Sequence, residues 1–215
     1  TSRRQRQMCI RDRHGATIVD ARGMTKNGWL VSDGRSIVET GCAETDFETD
    51  FETACRLVHV EQDHIVNANG MVMTPGYVDI HSHGAWGSSF DDGEKGITTA
   101  RAGHMAHGTT RQVLSLITNP IDVICGNLKT VHDMMPDRPD ILGAHLEGPF
   151  LAMPRKGAHD PNCLVDPTPD LVSRMLDAAD GCLRQITIAP ELPHGIDAIR
   201  RFFLAGVVPA VGHCD

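Results

Sequence analysis

Hydrophobic and polar positions follow one rhythm up to about residue 70 and another after it. In the first stretch, short runs separated by turn formers predict strands: Ala16-Thr17-Ile18-Val19, Gly28 to Gly34, and Ser36 to Gly41. Asp33-Gly34 between two such runs predicts a hairpin. Arg56 to Val60 and His64 to Gly70 read as further strands of the same small β unit. The insert from Ala43 to Thr53, with Glu44, Asp46, Glu48 and Asp50, reads as an exposed loop carrying a solvated acidic face. His59 and His64 lack ligand-like neighbours and read as surface or internally satisfied histidines.

Past residue 70, strand-length apolar runs alternate with helical spacing. Pro75-Gly76 breaks the chain, and Tyr77, Val78 and Ile80 predict a short buried strand. A helix is expected over Glu94–His107, closed by Gly108, then a strand over Thr110–Thr118. Ile121–Met135 is helical in pattern despite Gly126, with Pro136 closing it, and Ile141–Glu147 is a strand. Pro169–Ala179 predicts a helix capped by Thr168 or Asp170, followed by a strand at Gln185–Pro190. Ile196–Ala205 is a helix ended by Gly206, and Val207–His213 a last strand.

Strand-helix alternation at this pitch predicts an α/β fold with a parallel sheet: a partial (β/α)8 TIM barrel of about five strands. The expected divisions are a non-native or disordered leader outside the fold (1–15), a small β-sandwich-like domain (16–70) and the N-terminal part of a barrel (71–215). A doubly wound sheet competes, but no Gly-x-Gly-x-x-Gly turn supports it. The head, Thr1 to Arg13, holds five arginines against one aspartate without apolar periodicity, and reads as a vector scar or misjoined sequence.

Charge and cysteines narrow the class. A formal net charge of -8 predicts no basic face for nucleic acid. No apolar run reaches membrane-spanning length. The seven cysteines form no Cys-x-x-Cys pair and read as reduced thiols, so the cytoplasm is the expected compartment.

The candidate chemistry sits at strand ends. His81 and His83 stand two apart, so an extended backbone sends both imidazoles to one face. Glu147 ends the third barrel strand and His213 the fifth. Nitrogen and carboxylate donors converging from separate strands suit a catalytic divalent ion with an open position. Taken singly, Glu147 reads equally well as a structural carboxylate and His213 as a packed core histidine.

Two motifs carry a resemblance. Asn67-Ala68-Asn69-Gly70 leads into Pro75-Gly76-Tyr77-Val78-Asp79-Ile80-His81-Ser82-His83-Gly84, and Gly143-Ala144-His145-Leu146-Glu147-Gly148-Pro149-Phe150-Leu151 is followed by Lys156-Gly157-Ala158-His159-Asp160-Pro161. Ile188-Ala189-Pro190-Glu191 and Val211-Gly212-His213 continue the order. From Ala16 onward the chain resembles the amidohydrolase superfamily and, within it, the N-acetylglucosamine-6-phosphate deacetylases.

The resemblance implies metal-dependent deacetylation of N-acetyl-D-glucosamine 6-phosphate in amino-sugar catabolism. Glu147 and His213 match metal ligands, and His81 and His83 the superfamily His-x-His. The implied cofactor is one or two divalent ions, zinc first, with iron or another metal as alternatives. Ala158 and His159 fall where the family contacts its sugar, while Lys156 reads as a solvated loop residue. His145 stands on the strand face of Glu147, either behind the metal or as a plain structural histidine.

The implied partner is a small amino-sugar phosphate, with a homodimer by analogy. No catalytic residue is assigned, because the family's acid/base aspartate is expected beyond residue 215. Asp215 does not match it, so the chain reads as an N-terminal fragment, inactive alone. Alternatives are an amidohydrolase of cyclic amides, disfavoured because Gln185–Pro190 carries no lysine, and an inactive truncated metal-binding polypeptide.

Overall fold

The computed structural model describes residues 12–32, 36–42, 51, 53, 55–56 and 64–215, which divide into two compact units meeting at Pro75 and Gly76. In the first unit, β1 (Asp12–Asp20) pairs antiparallel with β2 (Gly23–Ser32), and β2 antiparallel with β3 (Ile37–Cys42). β4 (Ile65–Asn67) and β5 (Val72–Met73) lie parallel to β1. The β2–β3 pairing is that of the expected hairpin. Its Asp33-Gly34 turn lies outside the described residues, as do the leader through Arg11, residues 43–50 of the acidic insert, and the 57–60 strand with His59. Arg56, expected to open that strand, is helical. Trp29 and Val31 are buried with Phe51 and Cys55, the Trp29 and Phe51 rings meeting edge-on at 5.8 Å.

The second unit begins with β6 (Tyr77–Asp79) and a small hairpin of β7 (Gly84–Ala85) and β8 (Ser88–Ser89). Helix α1 (Gly93–Ala106), β9 (Thr109–Ile117), α2 (Ile121–Met134), β10 (Ile141–Glu147), α3 (Pro169–Ala179), β11 (Leu183–Ile188), α4 (Gly195–Leu204) and β12 (Val208–Val211) follow. The sheet order is β6-β9-β10-β11-β12, every pair parallel and a helix between each pair of neighbours. Order in space equals order in sequence. A doubly wound sheet would reverse direction at a switch point, so this is a partial (β/α)8 barrel.

Local chemistry explains the elements. In α3, Pro169 occupies the first turn, the Thr168 hydroxyl accepts the Leu171 N–H, and left-handed Asp180 ends the helix. Val172, Met175 and Ala179, at helical spacing, are its buried stripe. They join Leu114 and Leu116 of β9, Ala144 and Leu146 of β10, and Ile186 and Ile188 of β11 in one apolar core.

Expectations fail in both units: β1 already begins at Asp12, within the stretch read as a leader outside the fold, and the first barrel strand is not buried. Tyr77 and Val78 are 62% and 57% exposed, not buried, because β6 is an edge strand with β9 on one flank only. Val208 and Val211 of β12, at the other edge, are likewise exposed.

Polar groups brace the β6 edge. The Arg101 side chain of α1 is fully buried, its Nε donating to Asp140 at 2.9 Å and its Nη1 to Gln112 at 2.5 Å. The Gln112 amide donates in turn to Asp79 at 3.3 Å and to the Ser82 hydroxyl. Burial opposes ionisation of Asp140, but hydrogen bonds from Arg138 and Arg101 carry its carboxyl down to about 2.

Candidate metal centre

Along β10, Ala144 and Leu146 face the apolar core, which turns His145 and Glu147 to the opposite face. The chain then leaves the strand at Gly148, whose φ of +84° suits glycine. A Cβ there would run into Thr118 Oγ1, the group that donates to the Glu147 carbonyl at 3.1 Å.

His81 and His83 lie just beyond β6, in irregular backbone rather than on the strand itself. Asp79 Oδ1 accepts the His81 N–H at 3.0 Å, and Ser115 Oγ accepts the Ser82 N–H at 3.1 Å. Gly84 turns the chain at φ +150°, where a Cβ would meet the Ser88 carbonyl. The result places His81 Nε2 and His83 Nε2 3.3 Å apart. That separation is close to the roughly 3.4 Å between two nitrogens bound at about 2.0–2.1 Å to one tetrahedral ion.

Both imidazoles face Glu147: His83 Nε2 is 2.8 Å from Oε2 and His81 Nε2 3.7 Å from Oε1. His213 arrives from beyond β12, its Nε2 3.1 Å from Oε1. The Arg155 carbonyl lies 2.8 Å from His213 Nδ1, which therefore carries a proton and leaves Nε2 as the lone-pair nitrogen of the neutral ring. A lone pair held against a carboxylate oxygen needs a proton or a cation between them. His159, 8% exposed, brings its Nε2 to 3.5 Å from Glu147 Oε2 and stands edge-on to His213.

Two sets of donors that could hold an ion thus share one carboxylate: His81, His83 and Glu147, and Glu147, His159 and His213, each within 4.8 Å. Imidazole and carboxylate suit a divalent metal of the zinc type, and the donor set fits one.

Electrostatics point the same way. The His83 hydrogen bond, helped by His213 and opposed by burial, holds Glu147 far below the usual carboxylate range. The same hydrogen bond raises His83. Burial lowers His159, and pushes His145 down to about 4.

The structure brings His81, His83, Glu147, His159 and His213 together. Ala158 is exposed, in the Gly157–Ala158 turn beside them. Lys156 turns its ammonium to the loop carbonyls of Gly157 and His159, at 3.1 and 3.5 Å. Asp215 is held by Arg155 and donates its backbone N–H to Glu191. His159 was expected at the sugar alone; the geometry also sets it against the carboxylate. Sequence reasoning missed Ser115, Thr187, Gln112 and Arg101; Ser115 and Thr187 carried a signal, as lone hydroxyls within apolar runs, and the other two did not.

No family model matches the chain. Among curated proteins it is similar to N-acetylglucosamine-6-phosphate deacetylases. The Lysinibacillus sphaericus enzyme is 28% identical over 165 residues, covering 74% of this chain and 42% of that protein. The Homo sapiens enzyme is 29% identical over 163 residues, covering 68% and 38%. Among solved structures, N-acetyl-D-glucosamine-6-phosphate deacetylase from Mycobacterium smegmatis aligns over 95% of this chain and 50% of its own, with 31% identity and a TM-score of 0.80. A mutant of that enzyme, solved in complex with N-acetyl-D-glucosamine-6-phosphate, aligns with a TM-score of 0.79. The chain therefore spans less than half the length of those two curated relatives. Over that span, in sequence and in backbone alike, the chain is similar to N-acetylglucosamine-6-phosphate deacetylases.

Proposed function

We propose that the protein carrying this chain hydrolyses the acetamide of N-acetyl-D-glucosamine 6-phosphate, giving D-glucosamine 6-phosphate and acetate, as a step of amino-sugar catabolism in the cytoplasm. The observation that carries the reading is the convergence of His81, His83 and His213 on the Glu147 carboxylate, with Nε2–oxygen distances from 2.8 to 3.7 Å.

In this reading those four residues hold one or two divalent ions, zinc first by donor chemistry. Such an ion supplies Lewis acidity, polarising a carbonyl and lowering the pKa of water. Glu147 contributes a charge already ionised at any working pH and shared between both donor sets. The Arg155 carbonyl fixes the His213 tautomer, so that its Nε2 stays directed at the site.

Ala158 and His159 line the sugar. His159 Nδ1 is buried and without a hydrogen-bond partner among the described residues. An unpaired buried polar atom costs about 1–3 kcal/mol, which a substrate hydroxyl or phosphate oxygen would recover. The general acid/base is assigned to no residue of 1–215, and a homodimer is the proposed assembly.

Acetate release from N-acetyl-D-glucosamine 6-phosphate tests the reading. It should vanish on chelation and return with zinc. Absence of release after metal is restored, with ring opening of a cyclic amide in its place, would overturn it.

A further inference from the structure

His145 lies one residue before Glu147, is fully buried, and has both ring nitrogens occupied by hydroxyls. Ser115 Oγ of β9 stands 2.9 Å from its Nδ1, and Thr187 Oγ1 of β11 stands 2.9 Å from its Nε2. The imidazole thus ties the three central strands together directly beneath the candidate centre. It presents no free lone pair to an ion.

Ser115 Oγ also accepts the Ser82 N–H, so one hydroxyl joins the His145 ring to the Ser82 backbone whichever ring nitrogen carries the proton. On its other side the His145 ring meets His81 edge-to-face, centroids 4.7 Å apart and planes at 69°. One buried side chain therefore touches the His81-Ser82-His83 segment twice: through Ser115 on the Ser82 backbone, and by ring contact on His81.

The segment needs such a hold. It follows an edge strand, and His81 and Ile80 are exposed, so packing alone does not set it.

We propose that His145 is a positioning residue: with Ser115 it holds the His81-Ser82-His83 segment so that both imidazoles meet Glu147. The inference rests on the metal-centre reading above and deepens it. Groups behind metal ligands typically change affinity by about 10–100-fold when removed.

Zinc titrated into the metal-free protein provides the test. His145→Phe keeps a ring against His81 but removes both hydrogen bonds, and Ser115→Ala removes the acceptor of the Ser82 N–H. Each should weaken zinc binding by about 10–100-fold. That loss should disappear in a His81→Asn/His83→Asn background, which retains Glu147 and His213 and supplies its own baseline.

A purely structural role predicts a lowered unfolding midpoint with zinc affinity unchanged, or an equal loss in both backgrounds. Either result overturns the proposal. If His145→Phe does not fold, Ser115→Ala decides alone. Glu147→Gln separates the levels: unaltered zinc binding in that variant refutes the metal centre itself. Lost binding there beside a silent Ser115→Ala refutes only the positioning role.

Discussion

On one side of Glu147, His81 and His83 are braced by side chains: Asp79 on the His81 N–H, Ser115 on the Ser82 N–H, and Gln112 on Asp79 and Ser82. On the other side, His213 is braced by main chain. The Arg155 carbonyl takes its Nδ1–H at 2.8 Å, and its own carbonyl accepts the Ala152 N–H at 3.1 Å. Both arms follow edge strands and reach the same carboxylate. They differ in what a mutation can touch. A side-chain brace is lost with one substitution, whereas a backbone brace survives any change that leaves the loop's path intact.

The carboxylate common to both arms gives the largest expected effect. Glu147→Gln removes the charge that the two donor sets share, so it should cost more than the roughly 10–100-fold typical of a supporting residue. Metal content after dialysis and zinc titration measure it. Retention of a full complement of metal would show that neither arm depends on Glu147.

Next comes the root of the side-chain brace. Arg101→Leu removes a fully buried guanidinium, leaving Asp140 to Arg138 alone and the buried Gln112 Oε1 without its donor, and an unsatisfied buried polar group costs about 1–3 kcal/mol. Urea unfolding should show that loss. A change within about 0.5 kcal/mol, the scale of an ordinary surface substitution, would mean that the network is decoration.

Much of this was legible in the sequence, because strand-helix pitch and strand-end chemistry are local signals. The helices expected at 94–107 and 169–179 form at 93–106 and 169–179, and the gathering of His81, His83, Glu147 and His213 follows from spacing and from the parallel fold. The braces were not legible. Ser115 and His145 are 30 residues apart, and His145 and Thr187 are 42 apart, so the partnership exists only once strands pair in register. Nor could the sequence distinguish an edge from a central strand. Tyr77 and Val78 look like core residues, and their exposure reflects sheet position rather than composition.

Acid sharpens the comparison through a group remote from the ligands. Asp140 is held at about 2 when folded, below its ordinary value of 3.8, so its ionised pairs stabilise the fold fully above pH 4. That contribution fades as pH falls from about 4 towards 2. Asp140→Asn should therefore flatten the acid limb of stability across that window while lowering stability at neutral pH. An unchanged acid limb would separate Asp140 from the β6 brace.

The smallest effect belongs to the backbone-braced side. Arg155 Nε pairs with Asp215 Oδ1 at 3.1 Å, but the side chains are 61% and 54% exposed. Exposed pairs of this kind contribute about 0–1 kcal/mol. Arg155→Ala should cost no more than that and leave zinc affinity unaltered, since the group that orients His213 is the residue's carbonyl, which alanine keeps. Arg155→Pro attacks the same point differently: it deletes the N–H that Ala152 O accepts at 2.9 Å and disturbs the turn presenting that carbonyl. Zinc binding should weaken in the proline variant alone. A tenfold loss in Arg155→Ala would place the hold in the guanidinium, and the contrast between the two arms of Glu147 would collapse.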